Sequence, residues 1–202
     1  MAFAQRAPKL TEPIPIDRKA ADNLRFIRDT MERASSFTAV PGWGGVGIGC
    51  TALLAGALAQ GHAPEIQFRI WVAEAAVALI LAFFTVQAKS RRLSQSLKSR
   101  PARRALLSFM PPLLAGAALT AILAQHGMLF VLPGLWLLLY GAAVVTGGAF
   151  SVRIVPAMGL CFMGLGVIAF LLPVSFGNSV LVLGFGLLHV VFGTVIARRH
   201  GG

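Results

Sequence analysis

Long apolar runs separated by short polar connections fill the chain beyond residue 38. The runs lie near 40–60, 66–88, 105–125, 128–150, 154–173 and 178–197. Each is close to the ~20 residues that a helix needs to cross the hydrocarbon core of a bilayer. Because a backbone in lipid must satisfy its own hydrogen bonds, runs of this length favour helices. The pattern predicts an all-α protein whose residues 39–202 form a six-helix transmembrane bundle built from helical hairpins.

The first 38 residues follow a different pattern, rich in charged side chains. Between about 17 and 35, apolar residues recur at the spacing of one helical face: Ala20, Leu24, Ile27, Met31 and Ala34. This spacing predicts an amphipathic helix within a cytoplasmic tail, residues 1–38. We expect the helix to dock on the membrane surface or under the bundle. A solvated helical linker is the alternative interpretation.

The composition also favours a membrane protein. Apolar residues make up 56% of the chain and charged residues 12%, and the mean hydropathy is +0.77. This charged fraction is about half that of a typical soluble domain. Cys50 and Cys161 lie within apolar runs, where a disulfide framework is not expected. Both cysteines are interpreted as buried free thiols.

The net charge of +11 comes from 18 basic and seven acidic residues. Seven basic residues lie in the N-terminal segment, and the connection between the second and third spans holds seven more: Lys89, Arg91, Arg92, Lys98, Arg100, Arg103 and Arg104. Basic residues favour the cytoplasmic side of short loops, so both termini are predicted to be cytoplasmic in a cell (inner) membrane. We therefore assign the charge to topology and to anionic lipid headgroups rather than to nucleic acid.

Glycines cluster at the start of the first span. Gly42, Gly44 and Gly47 match the G-x-G-x-x-G pattern, but no strand precedes them as a dinucleotide site requires. Gly45 and Gly49 form a G-x-x-x-G pair, which is typical of closely packed membrane helices. The glycines predict helix packing, and no cofactor is expected.

Prolines lie inside two of the later spans. Pro111 and Pro112 occur together in the third span, and Pro156 occurs near the start of the fifth. Because proline cannot donate a backbone hydrogen bond, these positions predict kinks or local openings of the helices.

An internal repeat relates the later spans. After a shift of 52 residues, the segment Gly134–Gly141 aligns with Gly186–Gly193, and both read G-L-x-x-x-x-[YF]-G. The repeat predicts that spans 3–4 are a duplicate of spans 5–6 in parallel orientation. Gly141 and Gly193 are then candidate helix-packing positions, like Gly45 and Gly49.

This arrangement of three hairpins, with a proline near the start of the later half and the G-L-x-x-x-x-[YF]-G motif, resembles the HdeD-like family of small bacterial membrane proteins. The resemblance covers mainly residues 105–197. It implies a six-helix inner-membrane protein associated with acid stress and without an assigned catalytic site. The long charged N-terminal segment departs from that family's pattern.

Two ionisable residues lie deep within predicted spans, where such groups point to function. At about 1.5 Å per residue, Glu74 lies ~12 Å and His189 ~16 Å from the outer surface. These similar depths predict a hydrogen-bonded intramembrane pair that could relay protons. The alternative is a histidine bound to a backbone carbonyl and a protonated, packed glutamate.

Other candidate chemistry is sparse. Cys50, Tyr140 and Cys161 lie at intermediate depths without a recognised metal-ligand spacing, so no metal site is expected. Three residues of the external connections, His62, Glu65 and His126, suggest either pH sensing or ordinary polar loops. The sequence contains no H-E-x-x-H, G-x-S-x-G or Walker A motif, and no catalytic site or enzymatic activity is expected.

Taken together, these features predict a multipass inner-membrane protein of structural, stress-response or accessory type. Membrane lipids are the expected partners, together with a second copy of the chain or another membrane protein. The alternative is a small proton-coupled transporter or channel that uses Glu74 and His189.

Overall fold

A computed structural model of the chain describes residues 16–34, 40–92 and 98–200. The predicted fold class is confirmed, because these residues form helices joined by turns and include no strand. Within these ranges, six helices are long and apolar enough to cross a membrane. The chain divides into two compact units, Met1–Ser35 and Ser36–Gly202.

The first unit contains helix α1, Ile16–Ala34, at the place where the amphipathic helix was predicted. Its apolar side chains are 52–69% exposed: Leu24, Phe26, Ile27 and Met31. Arg25 lies 4.0 Å from Asp22, and both side chains are mostly exposed. An exposed ion pair adds little stability, so this pair contributes little to holding the helix together.

The second unit contains the six spans, and each span runs in the opposite direction to the one before it in the chain. The first five spans are α2 Gly42–Ala59, α3 Pro64–Arg92, α4 Arg100–Gln125, α5 Leu132–Gly148 and α6 Ile154–Leu171. A short 3₁₀ turn, Leu129–Val131, leads into α5. The sixth span, Val174–Arg199, consists of a 3₁₀ turn, α7 Gly177–Leu181, a π-helical segment Val182–Leu188 and α8 His189–His200.

The basic connection between the second and third spans is shorter than predicted. Helix α3 continues to Arg92, and α4 begins at Arg100, so most of the basic residues lie on helix ends. Ser99 caps α4 by accepting a hydrogen bond from the Ala102 amide at 3.4 Å. Cationic side chains at the end of α3 also interact favourably with its helix dipole. These basic helix ends lie at the same end of the bundle as the start of α2, because Lys89 Nζ donates to the Val40 carbonyl at 2.9 Å.

Two helices lie at the periphery of the bundle. Helix α5 packs along α4 and α6, while α2 packs along α3 and the sixth span. In the most apolar part of each span, only 11% of the residues of α3 and 6% of those of α4 are buried, compared with 28–44% in the other spans. Helices α3 and α4 make little contact with each other. The buried core therefore lies among α2, α5, α6 and the sixth span, around Leu137 and Phe162.

Glycine contacts hold the central helix pairs together. A Cβ at Gly141 would lie 2.7 Å from the Gly159 carbonyl oxygen, and a Cβ at Gly193 would lie 2.8 Å from that of Gly42. Gly45 approaches Gly193, and a Cβ at Gly49 would lie 2.7 Å from the Gly186 carbonyl oxygen. These four glycines all lie at interhelical contacts. At Gly49, Gly141 and Gly193 a Cβ would meet the neighbouring backbone at under 3 Å, so a missing side chain lets the helices approach. At Gly45 the nearest atom would be at 3.4 Å, which is an ordinary contact.

The two copies of the repeated motif pack against different partners. The copy on α5 faces α6, whereas the copy on the sixth span faces α2. Helix α6 contacts the sixth span less extensively than α4 contacts α5. The motifs therefore make the same kind of glycine contact, although spans 3–4 and 5–6 are not packed as equivalent hairpins.

The helical irregularity does not lie where the prolines predicted it. Helix α4 runs without interruption through Pro111 and Pro112, since proline is tolerated in membrane helices where neighbouring groups compensate for the missing bond. The irregular segment is instead Val182–Leu188 of the sixth span, which is π-helical.

Candidate functional site

A cavity of about 560 Å³ lies on the side of the bundle between α3 and α4. Helices α2 and α5 and the sixth span form its floor. Because α3 and α4 make little contact with each other, the cavity is partly open between them. We call this cavity the lateral cleft. Six aromatic residues line it: Phe68, Trp71, Phe109, Trp136, Tyr140 and Phe185.

One end of the lateral cleft is closed by contacts between α3, α4 and α5. The rings of Phe68 and Trp136 stack with their centroids 6.2 Å apart. The indole N–H of Trp136 donates to Thr120 Oγ1 at 2.8 Å, and the Thr120 hydroxyl donates to the Gly116 carbonyl at 2.7 Å. These bonds satisfy the polar groups of this end and fix the ring of Trp136 across the cleft.

Glu74 lies half-buried on the α3 wall of the lateral cleft. Its Oε1 accepts a hydrogen bond from Thr51 Oγ1 of α2 at 2.8 Å. The same hydroxyl also lies 2.9 Å from the Ile48 carbonyl and 3.3 Å from the Gly47 carbonyl, and a hydroxyl has a single proton to share among the three acceptors. Among the described residues, Oε2 of Glu74 has no hydrogen-bond partner. The carboxyl group is therefore only partly satisfied by the protein.

His189 lies at the base of the lateral cleft and is 3% exposed. Its Nδ1 lies 3.0 Å from the Phe185 carbonyl, and its Nε2 lies 2.7 Å from the Tyr140 hydroxyl. A carbonyl oxygen only accepts, so Nδ1 must carry a proton, and in a neutral ring Nε2 accepts from Tyr140. The imidazole also packs against the rings of Tyr140 and Phe162, with centroids 5.4 and 5.1 Å away. Both of its nitrogens are thus already bound within the core.

The structure brings Glu74 and His189 to the same cleft but does not join them. The glutamate is bound to Thr51, and the histidine to Tyr140 and Phe185. The two side chains are not hydrogen-bonded to each other, and a proton relay between them stays a prediction. The arrangement around His189 is the one expected of a histidine bound to a backbone carbonyl.

A second buried polar cluster joins α2, α3 and α7. Trp71 Nε1 donates to Asn178 Oδ1 at 2.9 Å. Asn178 Nδ2 donates to the Gly56 carbonyl and to Gln60 Oε1, each at 3.0 Å. Sequence reasoning missed this cluster, although an asparagine within a span is a signal for an interhelical hydrogen bond. Every atom of its amide is bound, so the cluster positions the Trp71 wall of the cleft.

The remaining candidates lie outside the lateral cleft. The interpretation of Cys50 and Cys161 as buried thiols is wrong, because both are exposed on helix faces that do not pack against other spans. His62, Glu65 and His126 are exposed in or beside the connections. Among the residues that the structure describes, no group of three or more histidines, cysteines and acids is close enough to hold a metal ion.

Comparison of the chain with models of protein families, with curated proteins and with solved structures gives no match in any of the three. The resemblance to the HdeD-like family therefore stays a prediction.

Proposed function

We propose that this multipass protein belongs to the cell (inner) membrane and acts as a non-enzymatic accessory or stress-response component. In this proposal the lateral cleft holds an apolar or amphipathic molecule taken from the bilayer. The observation that carries the proposal is the cleft itself, an apolar cavity of about 560 Å³ that opens between two peripheral helices.

The size and chemistry of the cleft support a binding role. The cleft of about 560 Å³ lies between two helices that make little contact with each other, so it is a space that the described bundle leaves open at its side. Ligand pockets of about 300–1,000 Å³ are typical of small-molecule sites, with mostly apolar walls and a few placed polar groups. The lateral cleft has this character, and its Tyr140–His189 pair is bound internally rather than aimed at a substrate. These features favour binding over catalysis.

The basic residues support the proposed orientation. Exposed arginines lie at the ends of α3, α4 and α8: Arg91, Arg92, Arg103, Arg104, Arg198 and Arg199. Contacts between Gly42 and Ala197, and between Lys89 and Val40, put the start of α2 beside the ends of α3 and α8. We propose that this end faces the cytoplasm, where the arginines bind anionic lipid headgroups.

The binding role is tested with N-phenyl-1-naphthylamine, a neutral apolar fluorophore, and the full chain in lipid nanodiscs. We expect saturable binding above the signal of empty nanodiscs. Ala78→Trp should weaken this binding roughly tenfold or more, because Ala78 lines the cleft and an indole would fill it. Ala73→Trp is the matched control, since Ala73 is exposed on the same helix and does not line the cleft. Absence of saturable binding, or equal binding by the two variants, would refute the role.

A second candidate function, proton-coupled transport, is favoured by the position of Glu74 on the cleft wall. In proteoliposomes, a flux driven by a pH gradient should be lost in Glu74→Gln. His189→Leu should affect it mainly through packing, because both imidazole nitrogens are bound within the core. If the unmodified protein supports no such flux, transport is excluded.

A further inference from the structure

The ligand class can be inferred from the charge of the lateral cleft. Among the residues that line the cleft, Glu74 is the only one with a carboxyl group, and none is a lysine or an arginine. Within the described part of the chain, no basic group lies within ion-pair distance of Glu74. The Thr51 hydroxyl of α2 contacts Glu74 directly. The hydroxyls of Thr120 and Tyr140 and the imidazole of His189 line the same cleft.

A carboxylate in an apolar site requires either a proton or a positive counter-charge. The hydrogen bond from Thr51 satisfies one carboxyl oxygen, but it brings no charge. The imidazole of His189 is not paired with the carboxyl group, because its two nitrogens bind the Phe185 carbonyl and the Tyr140 hydroxyl. The missing charge must therefore come from a proton or from the ligand.

The aromatic walls favour a cation over any other charged group. The faces of tryptophan, tyrosine and phenylalanine attract cations, and cages of such rings recognise quaternary ammonium groups. Six aromatic residues line the lateral cleft together with Glu74. Trp71 is held in place by Asn178, and Trp136 by Thr120. Aromatic rings held in place beside one carboxyl group suit a molecule that is mostly apolar and carries a delocalised positive charge.

We propose that the lateral cleft binds a lipophilic organic cation, with Glu74 as its counter-ion and the aromatic rings as its walls. This inference rests on the proposed function, in which the cleft is a ligand site. In the empty cleft the Glu74 carboxyl holds a proton. When the cation enters, the O–H bond breaks, the proton leaves to water, and the carboxylate forms an ion pair with the cation. Net charge within the cleft is the same before and after the exchange.

The test uses tetraphenylphosphonium as the cationic probe, with the full chain in nanodiscs. Glu74→Gln should weaken its binding roughly tenfold or more, because the cation loses its counter-ion in an apolar site. The same variant should keep the affinity for N-phenyl-1-naphthylamine within about twofold, since its cleft has the same size and shape. Glu65→Gln is the matched control: Glu65 is exposed in the first turn of the same helix, and its replacement should change neither probe.

Proton release supplies an independent readout. In weakly buffered solution with a pH indicator, tetraphenylphosphonium should release about one proton per bound cation, and its apparent affinity should increase with pH. Glu74→Asp should retain the release, whereas Glu74→Gln should abolish it. The cation inference is overturned if Glu74→Gln binds the probe as tightly as the unmodified chain, or if binding releases no proton. It is also overturned, while the proposed function stands, if only the neutral probe binds. If neither probe binds, both proposals are wrong.

Discussion

One methyl group at Gly141 provides a sharp test of how the bundle is held together. In the structure, a Cβ at this position would lie 2.7 Å from the Gly159 carbonyl oxygen and 2.8 Å from the Met163 amide nitrogen. Both atoms belong to the backbone of α6, so neither can move away by changing a rotamer. Gly141→Ala must therefore push α5 and α6 apart.

The expected magnitude follows from two opposing effects. Overpacking a well-packed site costs about 1–3 kcal/mol. Replacing glycine by alanine inside a helix contributes about 0.5–1 kcal/mol in the other direction. Because membrane helices are held together by close packing rather than by the hydrophobic effect, we expect the packing loss to dominate. The free energy of unfolding should fall by about 1–2 kcal/mol, roughly five- to thirtyfold in the folded-to-unfolded ratio.

Gly164→Ala is the matched control for this substitution. Gly164 lies on α6 as well, but a Cβ there would have nothing within 4 Å. This variant keeps only the helix contribution, so its stability should be unchanged or higher by up to about 1 kcal/mol. The measurement is unfolding by titration with sodium dodecyl sulfate in mixed micelles, followed by circular dichroism. Shifts of the same sign and size for the two variants would show that the α5–α6 glycine contact does not hold the helices together.

Two further predictions concern the second polar cluster and the orientation. Asn178→Ala leaves the Trp71 indole N–H without its acceptor in a buried site, so the same titration should show a loss of about 1–3 kcal/mol; an unchanged midpoint would contradict the structural role of the cluster. In a chain without its own cysteines, a cysteine at Ala63 should react with a membrane-impermeant maleimide in intact cells, whereas one placed within 93–97 should react only after permeabilisation. The reverse labelling would contradict the proposed orientation.

The six spans and the amphipathic helix could be predicted from sequence because each depends on one local property. A segment must be about 20 apolar residues long to cross the bilayer, and a helix with two faces must repeat its apolar residues every three or four positions. The predicted positions of the helix ends were less accurate, because α3 continues beyond its apolar run, through basic residues, to Arg92. The thickness of the hydrocarbon core sets the length of the apolar segment, but the helix can continue beyond that segment.

The neighbours of each polar side chain could not be predicted in the same way. Counting residues gave similar depths for Glu74 and His189, and both do line the lateral cleft. Depth alone does not give the direction in which a side chain points around its helix, and chain order does not show that the sixth span packs against α2. The partners of the two residues, Thr51 and Tyr140, therefore became visible only in the structure.

The π-helical segment explains why His189 cannot be read from the repeat. Its counterpart in the other copy of the motif is Leu137, a fully buried core residue. A π-helical turn holds more residues than an α-helical turn, so residues after it are rotated relative to a continuous helix. Within this segment, Gly184 approaches Leu137, and a Cβ at Gly186 would lie 2.6 Å from Leu53. These contacts hold the irregular backbone between α5 and α2, and the imidazole that follows it is held by the Tyr140 hydroxyl and the Phe185 carbonyl. Glu74 differs from His189 in this respect, because among the described residues only one of its carboxyl oxygens is hydrogen-bonded.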